Sequence, residues 1–120
     1  MIRKILVVDD EPAAVSEMAH FLEHQGLSVH GTSDPQAALI AIAGDKTLYA
    51  VVTDLRMPRI DGFRVLKAAS QHRAAGRITS IVAITGHATE GDEQRAYACG
   101  AMHFFQKPIN LRQLLEALAP

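Results

Sequence analysis

Five short apolar runs, each ending in a polar turn and each followed by a segment of helical period, constrain this chain more than any other feature. The runs are residues 5–8, 27–32, 49–53, 80–84 and 102–105. Runs one, three and four are nearly continuous in Val, Ile, Leu and Ala, the pattern of strands buried on both faces. Run two alternates Leu27 and Val29 with Ser28 and His30, which reads as a sheet edge. The intervening segments carry helix punctuation. Pro12 suits a first helical turn, and Ala14, Met18, Phe21, Leu22 and Gln25 follow at helical spacing up to a stop at Gly26. Asp34 and Pro35 open a second helix with Ala38, Leu39 and Ile42 facing inward, closed at Gly44. Gly62 permits a sharp chain reversal after run three, and Asp61 and Gly62 open a third helix, which turns Phe63, Leu66 and Ala69 inward and stops near Gly76. A polar fourth helix is predicted from about residue 89 to 98, with Gly91 inside it. In the fifth, Asn110 and Gln113 resemble a capping box, and Leu111, Leu114, Leu115 and Leu118 form an apolar stripe.

Strands alternating with helices at this spacing predict an α/β fold with right-handed crossovers and helices on both faces of a parallel sheet. With five strands the expected form is a flavodoxin-like (βα)5 domain over residues 1–120, doubly wound in the order 2-1-3-4-5. The chain has 120 residues, enough for one full core, and at 48% hydrophobic but 5% aromatic that core must be aliphatic. A formal charge of −1 gives no reason to expect direct nucleic-acid or anionic-membrane binding. No apolar run approaches the roughly 20 residues that span a bilayer. The N-terminus enters a strand without a small-residue cleavage site, so it is not read as a signal peptide. Cys99 is the single cysteine, which excludes an intrachain disulfide and fits a reducing cytoplasm. In its Ala-rich surroundings it reads as packing. His20 and His24 lie one helical turn apart but lack the glutamate directly after the first histidine that a zincin site requires, and read as solvated.

The chemistry gathers at the carboxyl ends of the strands, where open parallel sheets bind ligands. Asp9 and Asp10 follow run one, Asp54 run three, Thr85 run four and Lys107 run five. Carboxylates on neighbouring strands repel unless a positive charge lies between them. Lys107 supplies one such charge, and oxygen-only ligands point to a hard divalent ion for the rest, Mg²⁺ before Zn²⁺ or Ca²⁺. A loosely held Mg²⁺ usually shares its sphere with a phosphate. Asp54 would then be the nucleophile on phosphorus, with Lys107 and the Thr85 hydroxyl meeting the phosphoryl oxygens.

Asp9-Asp10, the run Asp-Leu-Arg-Met-Pro-Arg-Ile-Asp-Gly over residues 54–62, Thr85-Gly86 and Lys107-Pro108 resemble the motif set of the receiver domain of bacterial two-component response regulators. The resemblance covers essentially the whole chain. It implies that Asp54 accepts a phosphoryl group from a sensor histidine kinase or histidine phosphotransfer protein. It implies Asp10 and Asp54 as direct Mg²⁺ ligands, Asp9 acting through water, and the Arg56 backbone carbonyl completing the set. Thr85 and Phe104 take the family's switch positions, and the Lys107–Pro108 bond is expected to be cis. The implied protein is a signalling switch rather than an enzyme, assisting only its own phosphorylation and dephosphorylation. Its helix four, strand five and helix five surface would control an output domain or downstream protein, and the same face is the family's homodimer contact.

The sequence also departs from the family pattern. Gly86 stands where alanine is common, Phe104 lacks a tyrosine hydroxyl, and Ile109 replaces a frequent aromatic. Arg56 and His87 occupy the positions that influence phosphoryl lifetime in the family. Two other readings compete. An aspartate-nucleophile phosphatase similar to the haloacid dehalogenase superfamily would need an aspartate two residues after the nucleophile, where Arg56 stands. A receiver-like binding module would not need the intact acidic set with Thr85 and Lys107. A dinucleotide-binding domain is set aside, because Asp-Asp-Glu follows run one in place of a glycine-rich turn. The segment Thr89-Glu90-Gly91-Asp92-Glu93 reads as a charged, solvated helix start.

Overall fold

Strand and helix alternate without exception along residues 2–119, the part of the chain that the computed structural model describes; Met1 and Pro120, the ends of the expected 1–120 span, lie outside it. The order is β1 (Lys4–Val8), α1 (Pro12–His24), β2 (Ser28–Thr32), α2 (Pro35–Gly44), β3 (Leu48–Asp54), α3 (Gly62–Ala74), β4 (Ser80–Thr85), α4 (Asp92–Ala98), β5 (His103–Gln106) and α5 (Leu111–Ala117). The five strands form one sheet in the order β2-β1-β3-β4-β5, and every pairing is parallel. This is the predicted doubly wound fold.

Side chains of successive strand residues leave on opposite faces, so each central strand serves two cores. Leu6, Val8 and Val51 join Phe63, Leu66 and Ala69 of α3 and Ala38 and Ile42 of α2 on one face. Ile5, Val7, Val52 and Ile84 join Leu22 of α1 and Leu114 and Leu118 of the α5 region on the other. The predicted inward residues Phe63, Leu66 and Ala69 are all buried. Two anchors close the lower end of the second core: the Tyr49 hydroxyl donates to the Leu118 carbonyl at 2.9 Å, and the Ser80 hydroxyl to the Ala117 carbonyl at 2.6 Å.

Helix ends follow local chemistry, with three departures from expectation. Asp34, Asp61 and Asn110 each cap their helix by accepting a backbone N–H, from Gln36, Arg64 and Gln113 respectively. The fourth helix is shorter than expected. It starts at Asp92, and Gly91 is its N-cap at φ +88° rather than an interior residue. A left-handed residue cannot be carried inside an α-helix, so the helix cannot begin before it. Leu111 does not join the apolar stripe. It is 43% exposed, in the first turn of α5, beside a cavity where that turn stands off the sheet. Gly62 departs in a third way. It does not take a positive φ to reverse the chain; a Cβ there would collide with the Asp54 carbonyl oxygen and crowd Leu55. Glycine is required by close approach, because the loop after β3 folds back onto its own strand end.

Candidate functional site

Register decides what meets at the upper edge of the sheet. Val8 pairs with Thr53 and Asp54 with Ile84, so Asp9 and Asp54 leave adjacent strands at one level. Ile84 pairs with Phe105 and Thr85 with Gln106, which puts Lys107 just past the end of β5, two residues beyond that level. The Asp54 backbone is fixed from three directions. The Leu55 N–H donates to the Ile84 carbonyl at 3.1 Å and the Gly62 N–H to the Leu55 carbonyl at 3.0 Å. The buried Thr53 hydroxyl donates to the Asp54 carbonyl at 2.9 Å.

At this edge carboxylate oxygens of Asp9, Asp10 and Asp54 lie within 4.8 Å of one another. Asp9 and Asp54 are buried, and Asp10 is half-buried. Asp9 is held at both oxygens: Oδ1 accepts the Glu11 N–H at 3.0 Å and Oδ2 the Lys107 ammonium at 2.8 Å. Lys107 Nζ also lies 3.7 Å from Asp54 Oδ2. Asp54 Oδ1 accepts a long bond from the Arg56 N–H at 3.4 Å. Among the described residues no hydrogen bond to the Asp10 side chain is present. The Lys107–Pro108 peptide is cis. Thr85 is fully buried at the end of β4, and its Oγ1 accepts the His87 N–H at 3.2 Å. Phe104 is half-buried on the face that carries α3 and α4, against the first core.

The electrostatics show a cluster short of positive charge. Burial pushes the Asp54 carboxyl above the usual range, and the charge of Asp9 adds to this. Lys107 and the N–H groups of Arg56 and Leu55 pull the other way without prevailing. For Lys107, burial disfavours the ammonium, but the hydrogen bond to Asp9 and the charges of Asp54 and Asp9 outweigh it and hold its pKa above the ordinary lysine value. Three carboxylates against one ammonium, with only oxygen donors facing inward, fit a hard divalent cation. A cavity of about 800 Å³ runs from Asp9, Asp54 and Lys107 between α1 and the start of α5, past Phe21, Ile84 and Leu111.

All the residues singled out at the strand ends therefore stand at one edge, with Phe104 on the strand just below. One functional-looking group escaped the sequence reading. Asp92, in the segment that reads as a charged, solvated helix start, is only 5% exposed. Both of its oxygens lie 2.6 Å from Arg56 Nη2, which also donates to Thr89 Oγ1 at 3.0 Å. The Thr89 N–H closes the group onto Asp92 Oδ2 at 2.8 Å. The N–H of Thr89, then the Arg56 guanidinium and the Thr89 hydroxyl, hold the Asp92 carboxyl below its usual range against the cost of burial. The spacing of Thr89 and Asp92, with an acid three residues after a threonine, was the local signal for it.

Comparison with known proteins agrees with the geometry. The chain is 35% identical over 115 residues to the response regulator MprA of Mycolicibacterium vanbaalenii, an alignment covering 96% of this chain and 48% of that protein. The chain spans about half the length of the curated relatives it matches. A response regulator receiver domain protein (CheY-like) from Methanospirillum hungatei superposes with a TM-score of 0.85 at 26% identity, covering 97% of this chain and 90% of that one. A Burkholderia pseudomallei response regulator, crystallised with a phosphorylated aspartic acid, a calcium ion and citrate, has the same fold. Its TM-score is 0.85 at 24% identity, over 98% of this chain and 66% of that one. The sequence pattern of the family described as response regulator receiver domain matches residues 5–119, and the chain belongs to that family.

Proposed function

We propose that Asp54 is the phosphoacceptor of a signalling switch, receiving its phosphoryl group from the phosphohistidine of a sensor histidine kinase or histidine phosphotransfer protein. The observation that carries this is the meeting of three carboxylates within 4.8 Å with the Lys107 ammonium alongside, at the carboxyl edge of the sheet. The Burkholderia protein, crystallised with a phosphorylated aspartic acid and a calcium ion, supports it. An Asp54 oxygen forms the new O–P bond as the donor's N–P bond breaks, and the electron pair leaves with the imidazole. Lys107 is placed to meet one equatorial oxygen of the group in transit and the Thr85 hydroxyl another. Mg²⁺ is the cation this oxygen set would hold, through Asp10, Asp54 and the Arg56 carbonyl directly and Asp9 through water. Bound there, it would neutralise charge on the phosphoryl oxygens. The domain assists only its own phosphorylation and dephosphorylation, and works in the cytoplasm.

A Thr85 hydroxyl drawn toward the phosphoryl group would move away from the His87 N–H that it now accepts, which would reorganise the turn between β4 and α4, and Phe104, the second switch residue, would follow. The face formed by α4, β5 and α5 would carry that change to an output domain, a downstream protein or a second copy. Chemical-shift mapping with beryllofluoride and Mg²⁺ tests this. The expected result is Mg²⁺-dependent shifts at residues 85–92 and at Phe104. Shifts that ignore Mg²⁺, or that spare residues 85–92, would refute the switch.

A further inference from the structure

Besides Asp9 and Asp54, Asp92 is the remaining buried carboxylate among the described residues, and phosphoacceptance leaves it without a role. It directly follows an exposed stretch, residues 86–91, yet its side chain is 7% exposed. Its partner Arg56 stands two residues after Asp54, and 46% of the Arg56 side chain remains exposed. The guanidinium therefore crosses from the loop after β3 to the start of α4. There it meets both Asp92 oxygens at 2.6 Å and the Thr89 hydroxyl at 3.0 Å. Arg95 adds a second tie in the same region, its guanidinium 3.9 Å from the centre of the Phe63 ring.

We propose that Asp92 is a positioning residue for Arg56, holding the guanidinium at the start of α4 and away from the phosphoryl group that Asp54 accepts. The inference rests on the phosphoacceptor reading and extends it to a residue that does not touch the reacting atoms. A long, always-charged side chain two residues from an aspartyl phosphate is drawn to its oxygens, which carry close to two negative charges. Asp92 offers the competing site, made favourable by the Thr89 contacts that hold its carboxylate in place. Released from Asp92, the guanidinium would lie over the phosphoryl group and obstruct the line of approach of hydrolytic water. Asp92 thus sets phosphoryl lifetime through Arg56, and it fastens the turn between β4 and α4 to the loop that carries the acceptor.

The test is a double-mutant cycle on dephosphorylation. Wild type, Asp92→Asn, Arg56→Ala and the double variant are loaded from acetyl phosphate with Mg²⁺, freed of donor and followed for loss of the phosphoryl group. Asparagine keeps the volume and an acceptor for the Thr89 N–H, so it removes mainly the charge. Asp92→Asn should slow dephosphorylation about two- to fivefold, the range of a half-exposed ion pair, and Arg56→Ala should cancel the slowing. An unchanged or faster rate in Asp92→Asn, or a slowing that persists without Arg56, overturns the proposal. Hydrogen exchange of unphosphorylated protein keeps this result distinct from failure of the acceptor reading. The amides of residues 86–91 should exchange faster in either single variant, with no further gain in the double. If no variant takes up phosphoryl while exchange behaves so, the acceptor reading fails and the tie stands; unchanged exchange in both single variants removes the tie.

Discussion

The Lys107 ammonium reaches across the sheet edge to Asp9 Oδ2 at 2.8 Å, and so occupies an oxygen of the acidic cluster that a cation would otherwise compete for. Lysine and metal ion share one electrostatic need, and each weakens the other's hold. Lys107→Ala should therefore tighten Mg²⁺ binding about three- to tenfold, the figure being kept low because the lysine is 34% exposed. It should also slow phosphoryl uptake from acetyl phosphate. Calorimetric titration with Mg²⁺ and a time course of uptake check both halves; weaker Mg²⁺ binding would contradict the first.

Gly62 is required by the carbonyl oxygen of Asp54. Because a Cβ would meet backbone there and no flexible side chain can yield, Gly62→Ala should cost about 1–3 kcal/mol and displace the acceptor loop. Urea unfolding gives the stability change, and a weakened Mg²⁺ isotherm would show that the displacement reaches the site. A variant with wild-type stability would rule this explanation out.

Gly86 presents the opposite case. A Cβ there meets only Lys107 Cδ at 3.7 Å, an ordinary contact, and the residue does not take a positive φ. Gly86→Ala should stabilise the protein by about 0.4–1 kcal/mol, mainly by restricting the unfolded chain. A midpoint shift in urea at unchanged slope is the expected observation. Destabilisation would mean that the turn after β4 uses glycine's freedom in some other state.

Tyr49 ties β3 to the end of α5 through its bond to the Leu118 carbonyl. Burial raises its pKa, which the nearby Arg3 guanidinium opposes without prevailing. A folded-state pKa above the unfolded value means the contribution is whole below the usual tyrosine pKa of about 10 and is lost as pH rises through the folded value. Tyr49→Phe should cost about 1 kcal/mol at neutral pH and flatten the alkaline fall in stability. Urea unfolding from pH 8 to 11 tests this, and an alkaline slope identical to wild type would contradict it.

The acidic cluster was legible because a parallel sheet converts a one-dimensional pattern into a place. Any polar residue that ends a buried apolar run emerges at the same edge, so Asp9, Asp54, Thr85 and Lys107 could be grouped without coordinates. Gly62 was recognised as special but for the wrong reason, since a tight turn and a close approach look alike until the path of the loop is known. Leu111 kept the helical period of its neighbours yet stayed outside the core. Period reports which face a residue is on, and says nothing of whether the first turn of a helix reaches the sheet. The Arg56–Asp92 pair was hidden most fully, because it joins residues 36 apart and local pattern carries only the Thr89 half of it.

Acceptance of a phosphoryl group by Asp54 with the help of a divalent ion can be read from intact mass. Wild type and Asp54→Ala are incubated with acetyl phosphate or phosphoramidate, with and without Mg²⁺, and weighed. One phosphoryl group is expected on wild type with Mg²⁺, and none without Mg²⁺ or in the variant. An adduct that persists in Asp54→Ala, or a folded wild type that gains no mass and fails to bind beryllofluoride, would contradict it.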